Sequence, residues 1–513
     1  MTSWKRPKGQ TMGFQPAVDC YETFVTDPRA GAYDWARRRQ VLAWSAGAEV
    51  LVRVRQPGEA GLSTEWWSYR PEGAMEGRDD VTGVRLLRRR EGSEDGEKVV
   101  AGTANAKLRL LAMTPRHGEA AVNAEFETQG RTVRSTSVDE GDGLLAANLG
   151  DTFLAIYPLL DTELASEKGP RHVQPLSYSN ALPAAKPGCR IWSTKFLSQT
   201  TLAIGLGPSV EPIHIFTVTP SGLQAEADRK FSLIDDLDSR LDNIGTVRTS
   251  SSVYPIESIP SAAGDVKNAS SFLSGGYDGV IRLHDMRSHR SVEGIYKDPT
   301  DDSAVYSLLT RGRDKFIAGT SRHALLKVFD LRMSGTPEYN FLDARETENG
   351  DDHEIGVAAL DHPASTEGDW NVFLNPRGNH AQQGNWARRS AESPIYSLAS
   401  PSLVSPYVYA GVENALVEFN FSAAADNHPD PLVGQSPEWT NRAKDRDVLN
   451  FAAYSQGTDS KTAMRLRVQQ SVKETVASAC GRPRGLDERW IDAGSERREV
   501  QVPFRGGRRP HRR

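Results

Sequence analysis

Two consecutive repeat units of this chain end with an aspartate two residues before an arginine: Asp285-Met286-Arg287 and Asp330-Leu331-Arg332. Arginine is a planar, permanently charged fork that suits carboxylates. Each arginine could therefore meet an acidic partner outside the chain, or pair within its own repeat and cap a strand. The remaining candidates do not ask for catalysis. His284, next to Asp285, reads as the close of a hairpin rather than an acid–base pair. His214, between Ile213 and Ile215, reads as a strand histidine rather than a ligand. Asp351-Asp352-His353-Glu354 has metal-ligand residue types, but its Gly-rich acidic surroundings read as a solvated loop. Gly205-Leu206-Gly207 has too few glycines to cradle a phosphate. A GxSxG elbow, a P-loop, HExxH and a dinucleotide fingerprint are all missing. The residues imply no enzyme activity, no cofactor and no metal site.

The elements that carry these tripeptides are short strands. Ser271 to Arg287 reads as two strands joined at Tyr277-Asp278-Gly279, where Asp278 and Gly279 serve as structural turn residues because both tolerate positive φ. The same shape, a strand, a small-residue step and an alternating strand, starts at Val41, Val99, Leu144, Thr201, Phe316 and Tyr407. Another short strand precedes most copies. Val305-Tyr306-Ser307-Leu308 and Ile395-Tyr396-Ser397-Leu398 are nearly the same words, and Val253-Tyr254-Pro255-Ile256 and Cys189-Arg190-Ile191-Trp192 play the same part. Seven four-stranded units, irregularly spaced because insertions lengthen a basic repeat of roughly 40 to 45 residues, predict an all-β, seven-bladed propeller with long loop insertions. The insertions are read at 163–186, 224–250 and 336–393, with Trp370 to Leu374 apolar enough to dock on the ring.

On this reading residues 1–40 are a lead-in and 41–421 the propeller. Residues 422–480 are a linker with strand or helix packed on the propeller, and 481–513 a disordered basic tail. Val448 to Tyr454 reads as the last outer strand or a docking helix, and Asp459 to Ala479 has helical character.

Composition sets wider limits. With 513 residues, 38% of them apolar, the chain can build a large core, and a net charge of -5 implies no bulk attraction to nucleic acid or anionic membrane. Three scattered cysteines, Cys20, Cys189 and Cys480, offer neither a disulfide framework nor a zinc spacing. With no membrane-length apolar run and no signal-peptide core, the expectation is a soluble protein of the cytoplasm or nucleus. Arg88-Arg89-Arg90 is followed at once by acids and reads as a solvated loop. The terminal Arg505-Gly506-Gly507-Arg508-Arg509 resembles an RNA-binding tail, so a ribonucleoprotein or chromatin scaffold is the alternative reading.

Gly276-Tyr277-Asp278-Gly279-Val280-Ile281-Arg282-Leu283-His284-Asp285 resembles a WD-repeat blade, with His-Asp where that family carries Trp-Asp. The unit ending Val328-Phe329-Asp330 is the next best match. The wording is similar to the propellers of F-box/WD-repeat proteins. The paired endings Asp285/Arg287 and Asp330/Arg332 resemble those of receptors that dock on the adaptor of a cullin-RING ubiquitin ligase. The resemblance implies a non-catalytic substrate-recognition subunit whose partners are that adaptor and a substrate protein. Residues 1 to 40 carry no apolar Leu-Pro segment of the F-box kind.

Overall fold

The computed structural model describes residues 15–24, 38–58, 61–89, 96–113, 120–159, 169–182, 187–233, 250–260, 269–298, 303–322, 324–332, 334, 370–375, 394–403, 405–413, 415–421, 449–455, 465–469 and 490–492. These residues form seven antiparallel sheets, each built on four neighbouring strands. The inner strands are Val18–Phe24, Val81–Leu87, Val133–Asp139, Arg190–Ser198, Val253–Ser258, Val305–Arg311 and Ile395–Ala399. Each packs against the next, and the last packs against the first, so the ring closes as a seven-bladed β-propeller.

The core is divided the same way. Seven separate apolar clusters each fill the space between two neighbouring blades. The cause lies in the strand sequences. The second strands, such as Phe316-Ile317-Ala318-Gly319, are apolar at consecutive positions because both faces of a blade are covered by neighbouring blades.

A small-residue step near the end of the second strand recurs for a steric reason. A Cβ on Gly205, Gly275, Gly319 or Gly411 would come within 2.7 Å of the start of the following inner strand. The inner strand therefore lies directly on the glycine. A hydroxyl fastens several of these contacts. Thr82 Oγ1 donates to the Val133 carbonyl at 2.6 Å, Ser307 Oγ to Ile395 at 3.0 Å, and Ser397 Oγ to Pro16 at 2.6 Å. The last of these joins blade seven to blade one.

The propeller begins earlier than position 41. Val18–Phe24 is the inner strand of blade one and pairs antiparallel with Arg38–Ala46, so the lead-in supplies a full strand. The expected insertions also carry structure. Ser177–Asn180 is the outer strand of blade three, and Arg171–Val173 adds a parallel strand to blade two. Trp370–Asn375 is the fourth strand of blade six, and Leu449–Ser455 is a strand, the outer one of blade seven, rather than a docking helix. Arg465–Gln469 is a strand beside Trp370–Asn375, where helical spacing was expected, and it pairs with Trp490–Asp492 from the basic tail. The Arg-Leu-Arg-Val-Gln alternation suits a strand better than the longer window suggested. The rest of 481–513 lies outside the described residues.

The direction of the strands gives the propeller two faces. The inner strands start on the upper face, where the turns between second and third strands also lie. The third strands end on the lower face.

Candidate functional site

Both Asp-x-Arg tripeptides follow the third strands of adjacent blades, Ile281–Asp285 in blade five and Leu325–Asp330 in blade six. They therefore occupy equivalent posts on the lower face. In each, the arginine folds back on its own aspartate. Arg287 donates from its backbone N–H and Nε to Asp285 Oδ1 at 2.8 and 3.0 Å, and from Nη2 to Oδ2 at 2.7 Å. Arg332 repeats the pattern on Asp330 at 2.9, 2.9 and 2.5 Å. The side chains nonetheless stay 74% and 63% exposed.

The two aspartates are not alike. Asp285 is partly exposed, and the hydrogen bond from Arg287 holds its carboxyl below the usual range. Asp330 is buried and also takes Lys315 Nζ at 2.6 Å. Burial pushes its carboxyl up, but the bonds from Arg332 and Lys315 outweigh that, so it too lies below the usual range. The aspartates act as brackets that hold each guanidinium at a fixed angle with one edge toward solvent.

The neighbouring hairpin is held from inside. Gly279 has φ +74°, and Asp278 accepts from the Val280 N–H and from both terminal nitrogens of Arg282, the closer at 2.7 Å. Arg282 is fully buried, so this pair is structural. His284 is also fully buried. Its Nδ1–H donates to the Ser291 carbonyl at 2.6 Å, and its Nε2 accepts from Ser274 Oγ at 2.7 Å. The carbonyl can only accept, which fixes the tautomer. Desolvation pushes the His284 pKa down to about 3, so the ring is a neutral strut. His214 is half-buried, and burial with Lys230 nearby brings it down to about 4. Gly205 and Gly207 are spent on blade packing, each Cβ position being occupied by blade five. Among the described residues no group of three or more His, Cys, Asp or Glu is placed to hold a metal ion. Asp351 to Glu354 lie outside them. No helix there is long and apolar enough to cross a membrane.

The upper face carries a feature that residue-type reasoning missed. Near the start of six inner strands the register slips, and the slip contains Thr82, Arg134, Trp192, Tyr254, Tyr306 and Tyr396 in blades two to seven. A bulge removes a side chain from the in–out alternation. In blades four to seven that side chain is aromatic, and the four rings form an arc. Trp192 meets Tyr254 at 4.9 Å and 74°, Tyr254 meets Tyr306 at 5.1 Å and 74°, and Tyr306 meets Tyr396 at 6.4 Å. Tyr277, from the blade-five turn, adds a fifth ring 6.2 Å from Tyr254 and is half exposed. The signal was present in the repeated Val-Tyr-Ser-Leu wording. An aromatic between two core residues cannot share their face unless the strand is bulged.

No family model matches the sequence, and neither does any curated protein. Among solved structures, the crystal structure of Chaetomium thermophilum Raptor aligns with 15% identity and a TM-score of 0.44. The alignment covers 78% of this chain and 27% of that one, so the two share only part of their length. The propeller architecture stands on the seven sheets and their closure.

Proposed function

We propose that this chain is a non-catalytic protein-interaction scaffold and, within that class, a substrate-recognition subunit of a cullin-RING ubiquitin ligase, of the F-box type or related, working in the cytoplasm or nucleus. A propeller of this kind offers broad rigid faces for protein partners. The observation that carries the finer reading is the pair Arg287 and Arg332. They stand at the same post on adjacent blades, each bracketed by an aspartate and each largely exposed. Two oriented forks on one rim suit acidic groups on an adaptor.

Affinity purification of the full chain with mass spectrometry tests this. The expected result is a cullin and its adaptor in the wild-type eluate and their loss from an Arg287→Ala/Arg332→Ala double variant. A wild-type eluate without any cullin or adaptor, or identical partners for both proteins, overturns the ligase reading.

A further inference from the structure

The aromatic arc on the upper face is not needed to close the ring. Blades two and three occupy the same bulge with Thr82 and Arg134, and their inner strands pack as the others do. Thr82 spends its hydroxyl on the Val133 carbonyl, and Arg134 pairs with Asp151 at 2.9 Å. In blades six and seven the fastening is done by the next residue, Ser307 or Ser397. Tyr306, beside Ser307, is left for something else.

Three hydroxyls in the arc are unspent, whereas the Tyr396 side chain bonds Gln15. Among the described residues the hydroxyls of Tyr254, Tyr277 and Tyr306 have no hydrogen-bond partner, although the three rings lie together. Burial and the nearness of Tyr306 and Tyr277 bring Tyr254 up to about 12, so its phenol remains a protonated donor at neutral pH. Two arginines flank them without an ion-pair partner among the described residues. Arg190 lies over the Trp192 ring at 5.1 Å, and Arg322, in the turn of blade six, is near Tyr306. The surface therefore combines ring walls at near right angles, free phenolic donors, and cations that can only donate.

The geometry points to an extended, proline-rich peptide segment of a partner protein, with an acidic residue beside the prolines, as the ligand of this arc. A proline-rich segment enters as a preformed polyproline helix, with a rise of about 3.1 Å per residue and no internal hydrogen bonds. Its pyrrolidine rings pack on the partly exposed aromatic faces, because rings 4.9 to 6.4 Å apart touch one another and leave no slot between them. Its carbonyls are free to accept, while its prolines offer no N–H that would need an acceptor. Successive contacts two residues apart, about 6 Å, match the 4.9 to 6.4 Å spacing of the rings. A flanking carboxylate answers Arg190 or Arg322. This site lies on the face opposite Arg287 and Arg332 and does not depend on the ligase reading.

Selection of a displayed random 12-residue peptide library on the purified full chain tests the assignment. The expected winners carry prolines two or three residues apart with an adjacent Asp or Glu. As synthetic peptides they bind at least tenfold more weakly to a Tyr254→Ala/Tyr306→Ala variant and unchanged to Arg287→Ala. Tyr254→Phe/Tyr306→Phe keeps the rings and removes the donors, and is expected to weaken binding three- to tenfold, which covers the case of an alanine variant that fails to fold. No enriched peptide, winners without proline, or winners indifferent to both tyrosine variants would overturn the assignment.

Discussion

Arg53 of blade one and Glu418 of blade seven meet at 2.6 Å with both side chains essentially closed to solvent. Arg55 takes the other carboxylate oxygen at 2.5 Å. Tyr409 joins the group, its hydroxyl 3.0 Å from Arg53 and 2.8 Å from Gln40. Nearby, Arg38 pairs with Glu22 at 2.7 Å, and Ser402 and Ser405 donate to the same carboxylate across the seam. Blades one and seven are each built from their own stretch of chain, so no strand is exchanged between them. A charged network spans the seam alongside the apolar cluster of Val18, Leu42, Trp44, Tyr407 and Tyr409.

Glu418→Ala leaves two buried guanidiniums facing each other. The expected loss is about 3–5 kcal/mol, read as a lower midpoint in urea unfolding. Replacing Arg53, Arg55 and Glu418 together with Met, Leu and Leu is expected to recover most of that loss, because no charge remains buried alone. A triple variant as unstable as Glu418→Ala would show that the network sets the blade geometry rather than merely neutralising itself.

Gly411 tests the packing of the same seam. A Cβ there would lie 2.7 Å from the Pro16 carbonyl oxygen and 2.5 Å from Ser397 Oγ. The backbone oxygen cannot swing away as a side chain could. Gly411→Ala is expected to cost about 1–3 kcal/mol by forcing the first inner strand outward. The same variant should open 18–24 to limited proteolysis before the rest of the ring.

The elements that could be read from sequence are those whose own residues carry the signal. Ser271 to Arg287 declared itself through an apolar pair, an Asp-Gly turn and an alternating strand, all local. Val18–Phe24 did not. Asp19 and Glu22 interrupt its pattern, and their partners, the Leu86 N–H and Arg38, come from other strands. Ser177–Asn180 has little apolar content and exists because Phe153–Pro158 offers it a backbone edge. The Asp-x-Arg pair was visible as letters, and only the strand directions put both arginines on one face. The aromatic arc was visible as repeated words, but the register slips that turn the rings together are tertiary.

Acid should weaken the fold partly through His284. Its folded pKa is about 3, against about 6.5 in an unfolded chain. Above pH 6.5 both states are neutral and nothing is lost. As pH falls from 6.5 toward 3, the unfolded chain takes a proton that the folded state refuses, and stability drops by up to ~1.4 kcal/mol per pH unit. His214, at about 4, adds a loss of the same sign over a shorter window. His284→Phe removes one of these protons. It is expected to cost stability at pH 7, where the bonds to Ser274 and Ser291 are lost, and to close that gap as pH approaches 4.5. Parallel urea curves for wild type and variant across this range check it. A gap that stays constant would mean that the folded state accepts the proton.

Asp330 and Arg332 separate bracket from fork. Asp330 is buried and holds Lys315, the Arg332 guanidinium and a backbone N–H at once. Asp330→Ala takes the acceptor from Lys315 and the Arg332 backbone N–H, while the guanidinium keeps Asp314 at 3.4 Å, and is expected to cost about 1.5–3 kcal/mol. Its carboxyl lies below the usual range in the folded protein, so its contribution is present above pH ~4 and fades as acid protonates it. Arg332→Ala removes a largely exposed side chain, and the change expected is within ~0.5 kcal/mol. Thermal melts of the two variants at neutral pH should therefore differ clearly in midpoint. If Arg332→Ala destabilises as much as Asp330→Ala, the arginine is a strut of its own blade, and the lower rim loses one of the two groups that would meet an acidic partner.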